Sequence, residues 1–125
     1  STSRAEAVPA SLTISAPAHL RGGLLFQARF TIEAKESLKD AMLVLDEAWL
    51  DGLTVNTIEP GPVSEASRNG RLALSLGHLP AGSRYVLFMQ FQVNPTTVGG
   101  RTLRADLDDG GQTITTITRN LRVFP

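Results

Sequence analysis

Few side chains in this chain are of a type and spacing that could do chemistry. There are two histidines, His19 and His78, and no cysteine. A metal site needs three or four convergent ligands, and neither histidine has a carboxylate or a second histidine at ligand spacing. Both read as solvated residues beside turns. The absence of cysteine excludes a disulfide framework, thiolate chemistry and cysteine-ligated zinc. Asp106-Leu107-Asp108-Asp109-Gly110-Gly111 is similar to a calcium loop in placing oxygen ligands before a glycine. It lacks the downstream bidentate Glu of such loops, and a glycine-rich hairpin turn accounts for all of it.

Ser64, Ser67 and Ser75 have charged neighbours, but no Gly-x-Ser-x-Gly elbow surrounds them. Gly22-Gly23 and Gly99-Gly100 are turn glycines, because no strand, glycine-rich loop and helix follow one another there to cradle a phosphate. No catalytic, cofactor-binding or metal-ligating residue emerges. Trp49, the single tryptophan, stands between Glu47 and Asp51 in the least regular part of the chain. It reads either as a plug closing one end of a core or, with Asp46, Glu47 and Asp51, as a sugar-stacking or protein hot-spot platform.

The elements that must position these residues are strands. Tyr85, Leu87, Met89, Phe91 and Val93 take every second position, with Arg84, Gln90, Gln92 and Asn94 on most of the others. That is the period of a strand with one face in a core, and the Pro-Ala-Gly turn before it makes it the expected central strand of the domain. Leu24 to Lys35 alternates as cleanly, with Phe26, Ala28, Phe30 and Ile32 on one side and Gln27, Arg29, Thr31 and Glu33 on the other. Leu12 and Ile14 mark an edge-type strand. Asn69-Gly70 and Asp108-Asp109-Gly110-Gly111 each predict a hairpin, the first because a type I′ turn needs positive φ at both central residues. Ala41 to Leu45 is apolar on both parities, as suits a strand covered on both faces or a short buried helix.

Composition agrees. The 125 residues include twelve basic and twelve acidic side chains, so no electrostatic footprint for nucleic acid exists. One domain with one core is expected. No apolar run approaches the length of a membrane helix. Ser1 to Pro9 is small and polar and is expected to be a flexible leader, residues 10–125 forming the domain. The start lacks both an initiator Met and the apolar stretch of a signal peptide. A processed or excised soluble piece is expected, compatible with the soluble domain of a membrane-anchored protein.

The segment Leu79-Pro80-Ala81-Gly82-Ser83-Arg84-Tyr85-Val86-Leu87, with the later Val93-Asn94-Pro95-Thr96-Thr97, is similar to the E-to-F corner of bacterial cell-surface immunoglobulin-like repeats. The spacing of Leu79 and Tyr85 also resembles the tyrosine corner of fibronectin type III modules. The resemblance covers Gly77 to about Gly100, and the remainder only through strand order. It implies a module of an envelope protein on the outside of a bacterial membrane, with no catalytic residues to carry over. Two departures stand: the Trp49 segment fits no repeat pattern, and the cysteine pair of antibody-type domains is missing.

The expected fold is therefore all-β, an immunoglobulin-like antiparallel sandwich of seven to nine strands. Val86 and Phe88 occupy the water-facing parity of their strand, and Met42 and Val44 (or Leu43 and Leu45) do the same on theirs. In an immunoglobulin-like sandwich these strands are neighbours in one sheet. The four predict an apolar partner face, covered either by the crossover from Asp46 to Pro62 or by another protein. The function that follows is a non-enzymatic, extracytoplasmic interaction or spacer module binding another protein or itself, without cofactor and without nucleic acid. The alternatives are a carbohydrate-binding module built on Trp49 and a small hydrolase, for which no constellation exists.

Overall fold

The computed structural model describes residues 1–125. The chain forms eleven strands: β1 (Thr2–Glu6), β2 (Ala10–Ser15), β3 (His19–Arg21), β4 (Leu25–Ala34), β5 (Leu38–Leu45), β6 (Leu53–Glu59), β7 (Ser64–Arg68), β8 (Arg71–Leu79), β9 (Arg84–Val93), β10 (Gly99–Asp109) and β11 (Gln112–Phe124). One 3₁₀ turn, Glu47–Trp49, interrupts them. No helix is long and apolar enough to cross a membrane.

The strands make two packed sheets, one of five in the order β1-β2-β4-β9-β6 and one of six in the order β3-β11-β10-β5-β8-β7. Every pairing is antiparallel except the short one between β3 and β11. This is the immunoglobulin-like sandwich expected from the sequence. The strands exceed the expected seven to nine because β1 and β3 are short edge strands without apolar alternation.

Alternation places the core. On β4, Phe26, Ala28, Phe30, Ile32 and Ala34 are buried, and on β9 Leu87, Met89, Phe91 and Val93 are fully so. Phe26 pairs with Phe91 across the two strands, and their rings stack at 5.0 Å between centroids. Leu43, Leu45, Leu74, Leu103, Leu107, Leu121 and Val123 of the other sheet complete one continuous cluster. Each such side chain, fully buried, contributes about 1.5–3 kcal/mol. β9 lies between β4 and β6, so β4, rather than β9, is the middle strand of its sheet.

Both expected hairpins form. Asn69 and Gly70 take φ values of 52° and 78°, the positive pair that the β7–β8 turn requires. The expected flexible leader does not exist: β1 pairs along its whole length with β2. The Lys35 ammonium donates to Glu6 Oε2 at 2.6 Å and to the carbonyl of Ala7 at 3.1 Å, fixing one end of β1. Small polar residues carry little pattern, and here backbone pairing and charge, rather than apolar burial, hold the segment.

Candidate interaction face

The strands β10, β5, β8 and β7 lie side by side, and their pairing registers fix which side chains meet on the outer surface of the six-stranded sheet. Asp106 lies opposite Val44 and Asp108 opposite Met42. On the next strand Val44 faces Ala73 and Met42 faces Ser75, and Ala73 faces Ala66 on β7. The result is an apolar floor of Met42, Val44 and Ala73 in an open groove of about 850 Å³. Met42 and Val44 are half-buried, whereas their chain neighbours Leu43 and Leu45 are wholly inside. The doubly apolar run from Ala41 to Leu45 is thus covered on one face only. The crossover after it lines the groove with Asp46 and Glu47 before leaving for the other sheet as β6, and the floor itself stays open.

Charged side chains rim this floor. At one end Arg68 and Arg71 stand directly opposite each other at the tip of the β7–β8 hairpin, with the Glu47 carboxylate against the same tip at Gly70. Like charges so placed repel, and the three salt bridges of the chain, Arg4–Glu6, Lys35–Glu6 and Arg104–Asp106, include neither of them. At the other end stand Asp40 and Asp108. Burial pushes the Asp108 carboxyl above the usual aspartate range; a hydrogen bond from Thr113 opposes the shift and the charge of Asp106 adds to it. Asp108 Oδ1 is buried without a hydrogen-bond partner. Asp106 is spoken for, accepting from Thr116 Oγ1 at 2.7 Å and from Arg104 Nε at 3.1 Å.

Asp109 Oδ1 accepts the backbone N–H of Asp40 at 2.9 Å, so the Asp106–Asp109 carboxylates are turned to different partners. No group of three or more His, Asp or Glu side chains converges anywhere in the chain. His78 sits in β8 with Nε2 3.0 Å from Ser37 Oγ, and His19 sits in β3 stacked on Phe124 at 5.9 Å. Both are strand residues rather than turn residues.

Two expectations are corrected. The first is the four-residue apolar face. β5 and β9 belong to different sheets, so Met42 and Val44 open on one outer surface of the sandwich and Val86 and Phe88 on the opposite one. Parity along a strand tells which side chains share a face but not which sheet the strand joins.

The second correction is the stacking platform. Trp49 is fully buried. Its indole N–H donates to the carbonyl of Arg104 at 3.1 Å, and its ring lies tilted against Phe30 at 5.4 Å and Phe91 at 5.8 Å. Trp49 therefore ties the 3₁₀ turn to both sheets as a core plug, and no face of it is free for a sugar. Its acidic neighbours serve the groove and the turn. Asp46 Oδ1 accepts the N–H of Arg104 at 3.2 Å, Glu47 rests against Gly70 at the hairpin tip, and the Asp51 carbonyl accepts from Arg101 Nη1. Sequence reasoning missed Arg68, Arg71, Ala73 and Asp108 as groove residues. The Asn69-Gly70 turn carried the signal for the first three, since it fixes the β7–β8 register.

No protein-family model matches the chain, and no curated protein matches it either. Solved structures do. A non-cellulosomal cohesin from the hyperthermophilic archaeon Archaeoglobus fulgidus superposes with a TM-score of 0.54 at 16% identity, over 91% of each chain. CaCohA2 from Clostridium acetobutylicum gives 0.57 at 13% identity, over 88% of each. A CARDB domain from Pyrococcus furiosus, solved with di-metal ions, gives 0.54 at 14% identity over 89% of this chain and 84% of that one. At such identities the likeness is one of fold: this chain has the immunoglobulin-like β-sandwich architecture seen in cohesin and CARDB domains.

Proposed function

We propose that this chain is a non-enzymatic protein-interaction module of a bacterial envelope protein, acting outside the cytoplasm, and that it docks its partner on the outer face formed by β10, β5, β8 and β7. The observation that carries this is the open floor of Met42, Val44 and Ala73, rimmed by an arginine pair that forms no salt bridge and by the Asp40 and Asp108 carboxylates. Solvent-facing sheet positions need no Met or Val, and a central apolar strip with a charged rim is how protein-docking surfaces are built. The rim charges select the partner's orientation: an acidic group over Arg68 and Arg71, a basic one over Asp40 and Asp108, and an apolar side chain between. The extracytoplasmic setting rests on the resemblance of the Leu79–Leu87 corner to cell-surface repeats, and is supported by a fold shared with cohesin and CARDB domains.

The test compares the wild-type chain with Val44→Asp as bait against an envelope extract, alongside light scattering for self-association. A partner or dimer present with wild type and lost with Val44→Asp, at unchanged melting temperature, supports the face. Equal capture and equal mass for both chains remove it.

A further inference from the structure

The opposite surface of the sandwich divides into two chemically different halves. The half built on β1, β2 and the near ends of β4 and β9 carries Arg4, Glu6, Glu33 and Arg84 as exposed charges, as a merely solvated sheet does. The half built on the far ends of β4, β9 and on β6 confines its exposed charges, Arg29 and Glu59, to the row of Phe88. There the outward residues of β9 run Phe88, Gln90, Gln92, and registers place Gln27 and Thr57 either side of Gln90, and the exposed Leu25 and Thr54 either side of Gln92. No ionisable side chain falls in the Gln90 and Gln92 rows. Asn94 extends the strip, accepting from Thr54 Oγ1 at 3.2 Å. At about 3.3 Å per strand residue, the strip from Phe88 to Asn94 is roughly 20 Å long.

We propose that this strip binds a neutral saccharide chain. Phe88, half-buried with Gln27, Gln90, Thr57 and Glu59 around a shallow depression of about 350 Å³, offers the rigid aromatic surface against which the C–H face of a sugar ring packs. Gln90 Nε2 donates to Gln27 Oε1 at 2.6 Å. That bond orients both amides and leaves the Gln27 amino group as donor and the Gln90 carbonyl as acceptor. A sugar hydroxyl is both donor and acceptor, and amides and hydroxyls answer both roles where carboxylates and guanidinium groups answer one. Arg29 and Glu59, directly flanking Phe88 on the neighbouring strands, supply one charged donor and one charged acceptor at the stacked ring. A protein hot spot would ask for a larger apolar centre: Phe88 is the only apolar residue lining the depression, and the exposed Leu25 stands two rows away beside Gln92. The site lies on the other sheet from the Met42–Val44 groove, so each proposal stands or falls alone.

The experiment is calorimetric titration of the full chain with tetra- to hexasaccharides of neutral sugars: β-1,4- and β-1,3-glucan, xylan, mannan and chitin series. At least one series is expected to bind, with affinity unchanged between low and high salt because no charge is neutralised. Phe88→Ala, and separately the double variant Gln27→Ala/Gln90→Ala, are expected to weaken that binding by at least about tenfold at an unchanged circular dichroism spectrum. If Phe88→Ala fails to fold, the exposed double variant decides alone. Failure of every series to bind, retention of affinity in the double variant, or a steep loss of affinity with salt would each overturn the proposal.

Discussion

Arg119 Nη2 donates to the carbonyl of Ala16 at 2.6 Å, joining the inward face of β11 to the end of β2 in the other sheet. The same guanidinium reaches the carbonyl of Ile14 at 3.1 Å and the hydroxyls of Ser1 and Ser3 at 2.7 and 3.3 Å. Arg119 is buried yet pairs with no carboxylate. Its charge is held by backbone and hydroxyl dipoles alone, and the arrangement pins β1 and the start of the chain across the open edge of the sandwich. Removing the side chain takes away four hydrogen bonds and the packing of its stem, although the Ala16 carbonyl keeps the Ser1 ammonium at 3.0 Å, a loss in the range of about 2–4 kcal/mol. Arg119→Ala is therefore expected to lower the melting temperature by roughly 8–15 °C and to raise amide exchange throughout Thr2–Glu6. Arg119→Lys is expected to recover only part of this, because one ammonium cannot span four acceptors in two directions. A melting temperature within a degree or two of wild type for Arg119→Ala would show that β1 holds without the pin.

Trp49 makes a second expectation sharp. Fully buried between Phe30 and Phe91 and hydrogen-bonded to Arg104, it behaves as core, so Trp49→Ala is expected to cost roughly 3–5 kcal/mol. Trp49→Phe keeps most of the packing and loses the indole N–H, and is expected to cost about 1–2 kcal/mol. Tryptophan emission should be blue-shifted and insensitive to iodide in the native state and shift red on unfolding. Emission quenched freely by iodide in the folded chain would mean an exposed ring.

How much of this was legible in the sequence depends on whether a residue's neighbours encode burial or only proximity. Phe26 to Ala34 alternates without a break and Leu87 to Val93 with only Phe88 out of step, and their buried faces follow directly. Thr2 to Glu6 could not be read as a strand, since β1 is held by backbone pairing, Lys35 and Arg119 rather than by apolar side chains. The sheet to which β5 belongs was equally hidden, because Met42 and Val44 keep the same parity whichever sheet they join. Trp49 was ambiguous for a related reason: one aromatic amid acids has no period. The amide strip beside Phe88 was visible residue by residue, yet Gln27, Gln90 and Thr57 become a row only through two registers.

The groove carries a pH dependence whose sign is set by Asp108. Burial raises its carboxyl above the ordinary aspartate value, so between the ordinary and the raised value the folded chain holds more protons than the unfolded one. Stability from this group falls as pH rises through that window and stays lower above it. Glu6 runs the other way: hydrogen bonds from Lys35 and then Arg4 lower its carboxyl, so its contribution is present at neutral pH and is lost as pH falls through the lowered value. Urea midpoints measured at steps between about pH 3 and pH 7 should show Asp108→Asn gaining on wild type as pH rises and then holding its lead. A gap that stays constant over the whole range would mean that Asp108 titrates normally.

The hairpin tip that bounds the groove offers the most selective perturbation. Gly70 has φ of 78°, a left-handed conformation that costs a residue with a Cβ about 1–2 kcal/mol. A Cβ built there would also lie 2.9 Å from Glu47 Oε2. The far end of a glutamate can swing away, so backbone strain rather than the contact should dominate. Gly70→Ala is accordingly expected to destabilise the chain by about 1–2 kcal/mol, and Glu47→Ala introduced beside it should recover only a small part. Because Arg68 and Arg71 flank this turn in direct register, the same strain displaces the cationic end of the groove while leaving Met42 and Val44 in place. A partner that docks there should then lose affinity and most of its salt sensitivity together in Gly70→Ala. Full recovery of stability in the double variant would assign the cost to the Glu47 contact instead of to φ.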